Sequence, residues 1–263
     1  MIKLITGVLL CSTLLFADAV KTFPKEYYAI KKSEEQKEKF VEILYPLILK
    51  VEEKIRKERE LVESFFTKFH SVGIVTPNEV KRLKEIAKKY RIKSLYNKEE
   101  YLKRVDTVPI SMVLAQAAIE SNWGKSRFVR EANNLFGEWT WGKKGIVPKN
   151  RPEGKRYKIR IFDSLEDSIA SYMRNLNRHW AYKEFREARF MAKIMGKPFG
   201  GFTASAYLTH YSQLGEKYTL MIKKTIDKHE WDLYDIPKST PQVKFKNEMV
   251  MLSKEIMKNL NIH

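Results

Sequence analysis

Residues 108–119, VPISMVLAQAAI, run directly into Glu120, and this stretch limits the possible folds more than any other. Its only polar side chains are Ser111 and Gln116, so a helix built on it is apolar nearly all round and has to be buried on most sides. Ala115, Ala117 and Ala118 let neighbouring elements come close. Pro109 suits a first helical turn, where its missing N–H costs nothing, with Thr107 or Asp106 to cap it. Gly124 is a natural terminator. The pattern predicts a buried central helix with Glu120 in its last turn. There the macrodipole is negative and the unpaired carbonyls offer only acceptors. Together with apolar surroundings, both effects push a carboxyl pKa upward. A carboxyl group still protonated near neutral pH can act as a general acid. The competing reading is a surface glutamate at a fraying helix end.

The rest of the chain reads as helical segments around this one. Residues 20–32 have no clear period and are expected to link or to pack loosely. Phe40, Leu44, Val51, Ile55, Val62 and Phe66 then follow helical spacing, as an amphipathic hairpin or one long helix bent near Pro46. Its apolar stripe is expected to cover the catalytic domain, or alternatively to meet a protein partner. Thr76-Pro77-Asn78-Glu79 is a capping box opening a helix to about Tyr90, and a shorter helix is predicted over Asn97–Arg104. After Ser126–Ala132 and the Asn133-Asn134 stop, the character changes. Trp139, Trp141, a glycine turn, Pro148, Pro152 and the alternation of Tyr157–Ile161 predict a small β-hairpin with a long irregular tip. Helices are predicted from Ser164 to about Trp180, over Ala181–Met195 and over Thr203–Ile226. A linker between Pro237 and Pro241 and a last amphipathic helix over Lys244–Leu260 follow.

Residues 1–19 read as a secretory signal: Lys3, an apolar run from Leu4 to Phe16, and Ala17-Asp18-Ala19 as the cleavage site. The one cysteine, Cys11, lies inside it, so the mature chain is expected to carry no disulfide. The apolar run is too short to span a bilayer as a helix, and no later stretch is long enough. A net charge of +18 over 263 residues implies a polyanionic partner. Export argues against nucleic acid and leaves an anionic membrane or an acidic wall polymer. Lys-rich helices that merely keep the protein soluble account for part of the charge. Residues 143–160 hold eight Lys or Arg and a single acid, Glu153, next in sequence to the proposed acid.

The five histidines show no metal-ligand spacing, so neither a metal site nor a cofactor is expected. There is no phosphate loop and no nucleophile elbow. Carboxylate chemistry remains. LAQAAIESNWGKSRF followed by NNLFG resembles the signature of the family 73 glucosaminidases, peptidoglycan hydrolases with a lysozyme-like helical fold. The wider stretch, with LFGEWTW, GIVP, IFDSLEDSIASYMRNLNRHWAY and YSQLGEKY, is similar to the Bax-type subgroup, over about Phe40–Ile226.

The resemblance implies a mainly α (α+β) protein with a lysozyme-like catalytic domain and a small β-hairpin at 96–237, and the residue patterns add a leader at 1–19, an N-terminal helical region at 20–95 and a C-terminal helix at 238–263. It implies Glu120 as proton donor to the glycosidic oxygen and a second acid in the hairpin. Glu153 is the acid of the tip and Glu138 stands at its entry. It also implies a sugar-holding tyrosine in the late helix, matched by Tyr218 with Tyr211 as competitor. Trp139 or Trp141 is expected to wall the cleft, with Trp123 and Phe136 in the core. Asn134 is expected to hold the helix-to-strand turn or touch substrate. The activity implied is an endo-β-N-acetylglucosaminidase acting on peptidoglycan glycan strands in the periplasm or wall. The alternatives are a muramidase or lytic transglycosylase on the same fold, or a non-catalytic peptidoglycan-binding adaptor. A protein partner through the N- or C-terminal helices is a further expectation.

Overall fold

A computed structural model describes residues 20–208, 211 and 214–236. The expected leader, the Pro237–Pro241 linker and the terminal helix lie outside the described residues. Within them the protein is mainly α-helical with a single two-stranded sheet, as the lysozyme-like expectation requires.

The apolar stretch forms α5, Ile110–Ser121, and every residue of it except Ile119 and Glu120 is buried. The helix ends earlier than Gly124: Asn122, Trp123 and Gly124 are three consecutive left-handed residues, at φ 49°, 56° and 69°. The Ser121 hydroxyl accepts from the Gly124 N–H at 2.7 Å, satisfying the reversed chain. At the other end Pro109 is the N-cap residue and makes no side-chain cap. Neither Thr107 nor Asp106 supplies one either. The cap comes from Asp235, whose carboxylate accepts from the Ser111 N–H at 3.0 Å, the Ser111 hydroxyl at 2.6 Å and the Gly201 N–H at 2.7 Å. Asp106 is engaged elsewhere. Burial alone would raise its carboxyl pKa, but the charges of Arg189, Arg59 and Lys193 hold it below the usual range.

The segment around Pro46 is one helix, α2, Ser33–Val72. Its first half places Phe40, Leu44, Ile48 and Val51 in the core that surrounds α5. Its second half places Val62, Phe65 and Phe66 in a second core with α3, Pro77–Tyr90, and α4, Lys98–Arg104. Thr76 and Glu79 form the expected capping box, and Asn97 caps α4. Residues 20–32 are packed more firmly than expected. They form α1, Lys25–Ala29. The Phe23 ring stacks on Tyr27 at 4.5 Å and on Phe40 at 5.7 Å, and the Tyr27 hydroxyl donates to the Trp123 carbonyl at 2.5 Å. Two buried aromatic rings in a thirteen-residue segment have no period to read, yet they bury enough apolar area to dock it.

Ser126 caps α6, Arg127–Ala132, and the hairpin follows. It is shorter than its sequence alternation: β1, Trp139–Thr140, pairs antiparallel with β2, Lys158–Ile159, with an added bridge from Ile146 to Ile159. Ser164 caps α7, Leu165–Arg178. A 3₁₀ turn at Trp180–Tyr182 leads into α8, Lys183–Ile194. The continuous helix expected over Thr203–Ile226 is broken into α9, Gly201–Ala204, a 3₁₀ turn at Ser205–Tyr207 and α10, Glu216–Lys228. Two local causes are visible. The buried Ser205 hydroxyl bonds back to the Phe202 carbonyl at 2.9 Å, competing with a helical ladder. Gly215 enters α10 at φ 51°. Gly201 packs so tightly that a Cβ there would lie 2.6 Å from the Met112 nitrogen. A last 3₁₀ turn, Trp231–Asp235, brings the capping carboxylate back to α5. Among the described residues, no helix is long and apolar enough to cross a membrane.

Candidate active site

Glu120 stands half-buried at the C-terminal end of α5. Burial pushes its carboxyl above the usual range, against an opposing hydrogen bond from Tyr218. That bond, from the Tyr218 hydroxyl on α10 to Oε1, is 2.7 Å. The same hydroxyl accepts from Gln116 Nε2 at 2.8 Å, and Gln116 Oε1 accepts from the Tyr172 hydroxyl on α7. Gln116 precedes Glu120 by four residues, so both lie on one helix face. The only long polar side chain of the buried run is thus spent on aligning the tyrosine that meets the acid. Burial, followed by the nearby Glu120 charge, raises the Tyr218 hydroxyl far above its ordinary pKa, so it remains a donor at any pH of interest. Tyr211 stacks on Tyr218 at 5.4 Å and gives its hydroxyl to the Phe136 carbonyl at 3.3 Å. Phe136, buried as expected, stacks on Tyr172 at 4.0 Å.

The hairpin side is built on Asn134. Its amide accepts from the Glu138 N–H at 2.9 Å and donates to the carbonyls of Glu138 and Arg160 at 2.9 and 2.8 Å. Those three backbone bonds engage the buried side chain at the base of the hairpin. Glu138 is lodged beside them. Its Oε2 accepts from the Ser171 hydroxyl at 2.8 Å and lies 3.5 Å from Arg160 Nη1, while Oε1 is buried with no partner. Burial raises its carboxyl pKa, eased by Ser171 and by the charges of Arg160, Arg174 and Arg178. Glu153 sits exposed on the tip. Trp139 is 54% exposed and stacks on Tyr157 at 4.2 Å, and Trp141 is 73% exposed. Trp123 is half-buried and packs against Phe40 and Trp231. Trp180, 78% exposed just past α7, escaped sequence reasoning because it reads as the last residue of a helix. Among the described residues, no group of three acids, histidines or cysteines could hold a metal ion.

The arrangement offers a protonatable carboxyl with a fixed donor, a second buried carboxyl at the hairpin base and exposed aromatic faces nearby. These are the parts of a glycosidase. The family model described as mannosyl-glycoprotein endo-beta-N-acetylglucosaminidase, Glucosaminidase, matches residues 96–230. The chain belongs to the glucosaminidase family. The matched segment runs from just before α4 to just past α10, so it holds Glu120, Glu138, Glu153 and Tyr218. The description of that family is of enzymes that hydrolyse a glycan. The chain is also similar to Protein bax of Escherichia coli (strain K12), 38% identical over 151 residues, which is 56% of this chain and 54% of that protein. It therefore spans about half the length of the curated relative it matches. No solved structure matches.

Proposed function

We propose that the protein is an exported peptidoglycan hydrolase, an endo-β-N-acetylglucosaminidase that cuts the glycan strand between N-acetylglucosamine and N-acetylmuramic acid. The observation that carries this reading is Glu120: a carboxyl raised by burial, at the end of a buried helix, aligned by the Tyr218 hydroxyl at 2.7 Å. It gives its proton to the glycosidic oxygen as the C1–O bond breaks, and the sugar ring takes on oxocarbenium character. Tyr218 holds the carboxyl in register, and Tyr211 stacks behind it.

On the other face of the ring a carboxylate activates water, or the N-acetyl carbonyl of the substrate attacks C1. Glu153 and Glu138 are the two carboxylates on the hairpin side. Glu153 is exposed on the tip, while Glu138 is lodged at the base. Trp139 and Trp141 offer their exposed faces to sugar rings. No cofactor takes part in this reaction. The leader at residues 1–19 takes the chain to the periplasm or wall, where its positive charge suits an anionic polymer and nucleic acid is no partner. The N-terminal helices and the segment beyond residue 236 remain surfaces for a protein partner.

The test is digestion of purified sacculi with wild type and Glu120→Gln, with mass spectrometry of the released fragments. The expected products end in reducing N-acetylglucosamine and disappear in the variant, which still binds sacculi. A reducing N-acetylmuramic acid end would make the protein a muramidase. A 1,6-anhydro end would make it a lytic transglycosylase, and binding without release an adaptor. Glu153→Gln and Glu138→Gln in the same assay locate the second carboxylate, and full activity in both leaves substrate assistance.

A further inference from the structure

Arg160, Arg174 and Arg178 gather at Glu138, and Arg91 stands by Arg178. Arg160 follows β2 and places Nη1 2.9 Å from the Ser171 hydroxyl. Arg174 and Arg178 come three and seven residues after Ser171 on α7, so they share the helix face that carries Ser171 towards Glu138. Arg91 closes α3 in the left-handed conformation, φ 56°. Arg104 draws that end of α3 over the end of α7, its Nη1 donating to the Tyr90 carbonyl at 3.2 Å and to the Arg178 carbonyl at 2.9 Å.

This cluster has more cations than its neighbours can use. Among the described residues Arg91, Arg174 and Arg178 enter no ion pair, and the Nε atoms of Arg174 and Arg178 are buried without a partner. The Arg178 guanidinium is held below its usual pKa by burial first, then by the charges of Arg174 and Arg91. Glu138 is a carboxylate that offsets Arg178, and its Oε2 is already shared by Ser171 and Arg160. Arginines crowded together with unspent donors cost stability unless a ligand completes them. Their planar donor forks suit a carboxylate.

We propose that Arg91, Arg174 and Arg178 form a subsite for the carboxylates of the peptides borne by the glycan strand. The enzyme thereby selects peptide-bearing glycan over bare glycan. This rests on the peptidoglycan reading above and adds a specificity-determining surface to it. The subsite leads from Glu138 along α7 towards the exposed Trp180.

The test uses Glu120→Gln, which holds substrate without cutting it, on three strand preparations: peptide-bearing, peptide-bearing with its carboxylates converted to amides, and enzymatically stripped of peptide. Binding to the first should be about tenfold or more tighter than to the other two. Adding Arg174→Gln and Arg178→Gln should bring the three to within about twofold. Arg91→Asn, an exposed position where asparagine tolerates the left-handed backbone, should narrow the gap without risk to folding. An unchanged ratio in the variants overturns the proposal. So does an equal loss on all three strands, which would mean that the arginines merely settle Glu138, or a loss confined to the stripped strand, whose freed lactyl carboxylate they would then be reading. If wild type cuts no strand but the binding ratio holds, the hydrolase reading fails and the subsite stands.

Discussion

Tyr218→Phe is the most informative single change in the site, because it deletes one hydroxyl that both donates to Glu120 at 2.7 Å and accepts from Gln116 at 2.8 Å. The lost bond favours the ionised form of Glu120. A hydrogen bond to a charged group is worth about 1.5–3 kcal/mol, and its loss here disfavours the carboxylate. The Glu120 carboxyl should therefore rise further above its usual range. A general acid works below its own pKa, so the alkaline limb of the kcat/KM profile should move to higher pH. The plateau should fall by about 10–100-fold, since the carboxyl is no longer held in register. The stranded Gln116 amide should cost about 1–3 kcal/mol of stability, read from denaturant unfolding and used to normalise the rates. Release of soluble fragments from sacculi across the pH range is the assay. An alkaline limb that stays in place or moves down would refute the assignment of Tyr218 as the donor to the catalytic acid.

Two further outcomes concern the scaffold. Asp235→Ala strands two donors at the start of α5 and one at the start of α9 and should lower stability by about 2 kcal/mol, or about 4–8 °C in Tm; an unchanged melt would mean that water replaces the cap. Glu52 on α2 has its carboxyl pushed up from 4.5 to about 7 by burial, which outweighs the ion pair with Arg56 at 2.6 Å. The folded protein holds this proton where the unfolded chain has released it, so stability should fall as pH rises from about 4.5 to about 7, by at most about 3 kcal/mol. Glu52→Gln should flatten that part of a stability-against-pH curve, and a slope equal to that of wild type would show Glu52 to be ionised throughout.

The parts of this protein legible in its sequence are those whose cause is local. An apolar run with two polar breaks has to become a buried helix, and Glu120 at its end has to be partly desolvated; both follow from composition within twelve residues. The Thr76 and Ser164 caps are equally local. What could not be read depends on distant partners. The cap of α5 lies 124 residues away at Asp235, and nothing near Pro109 hints at it. The docking of Phe23 and Tyr27 depends on rings from α2 and on the Trp123 carbonyl. The break before α10 is set by a buried serine and by a glycine at positive φ. In the site, Gln116 was visible only as a polar interruption. Its purpose appears once α7 and α10 bring a tyrosine to each end of its amide.

That amide has a consequence for turnover. From Tyr172 through Gln116 and Tyr218 to Glu120, every bond points the same way, each group donating towards the acid. A hydroxyl can receive a proton while passing another on, but a carboxamide cannot do so without leaving its stable tautomer. The line is therefore an insulator: it orients the acid but conducts nothing to it. On the proposed reading, the proton that Glu120 gives up in each cleavage returns from the water consumed in the reaction and not along this line.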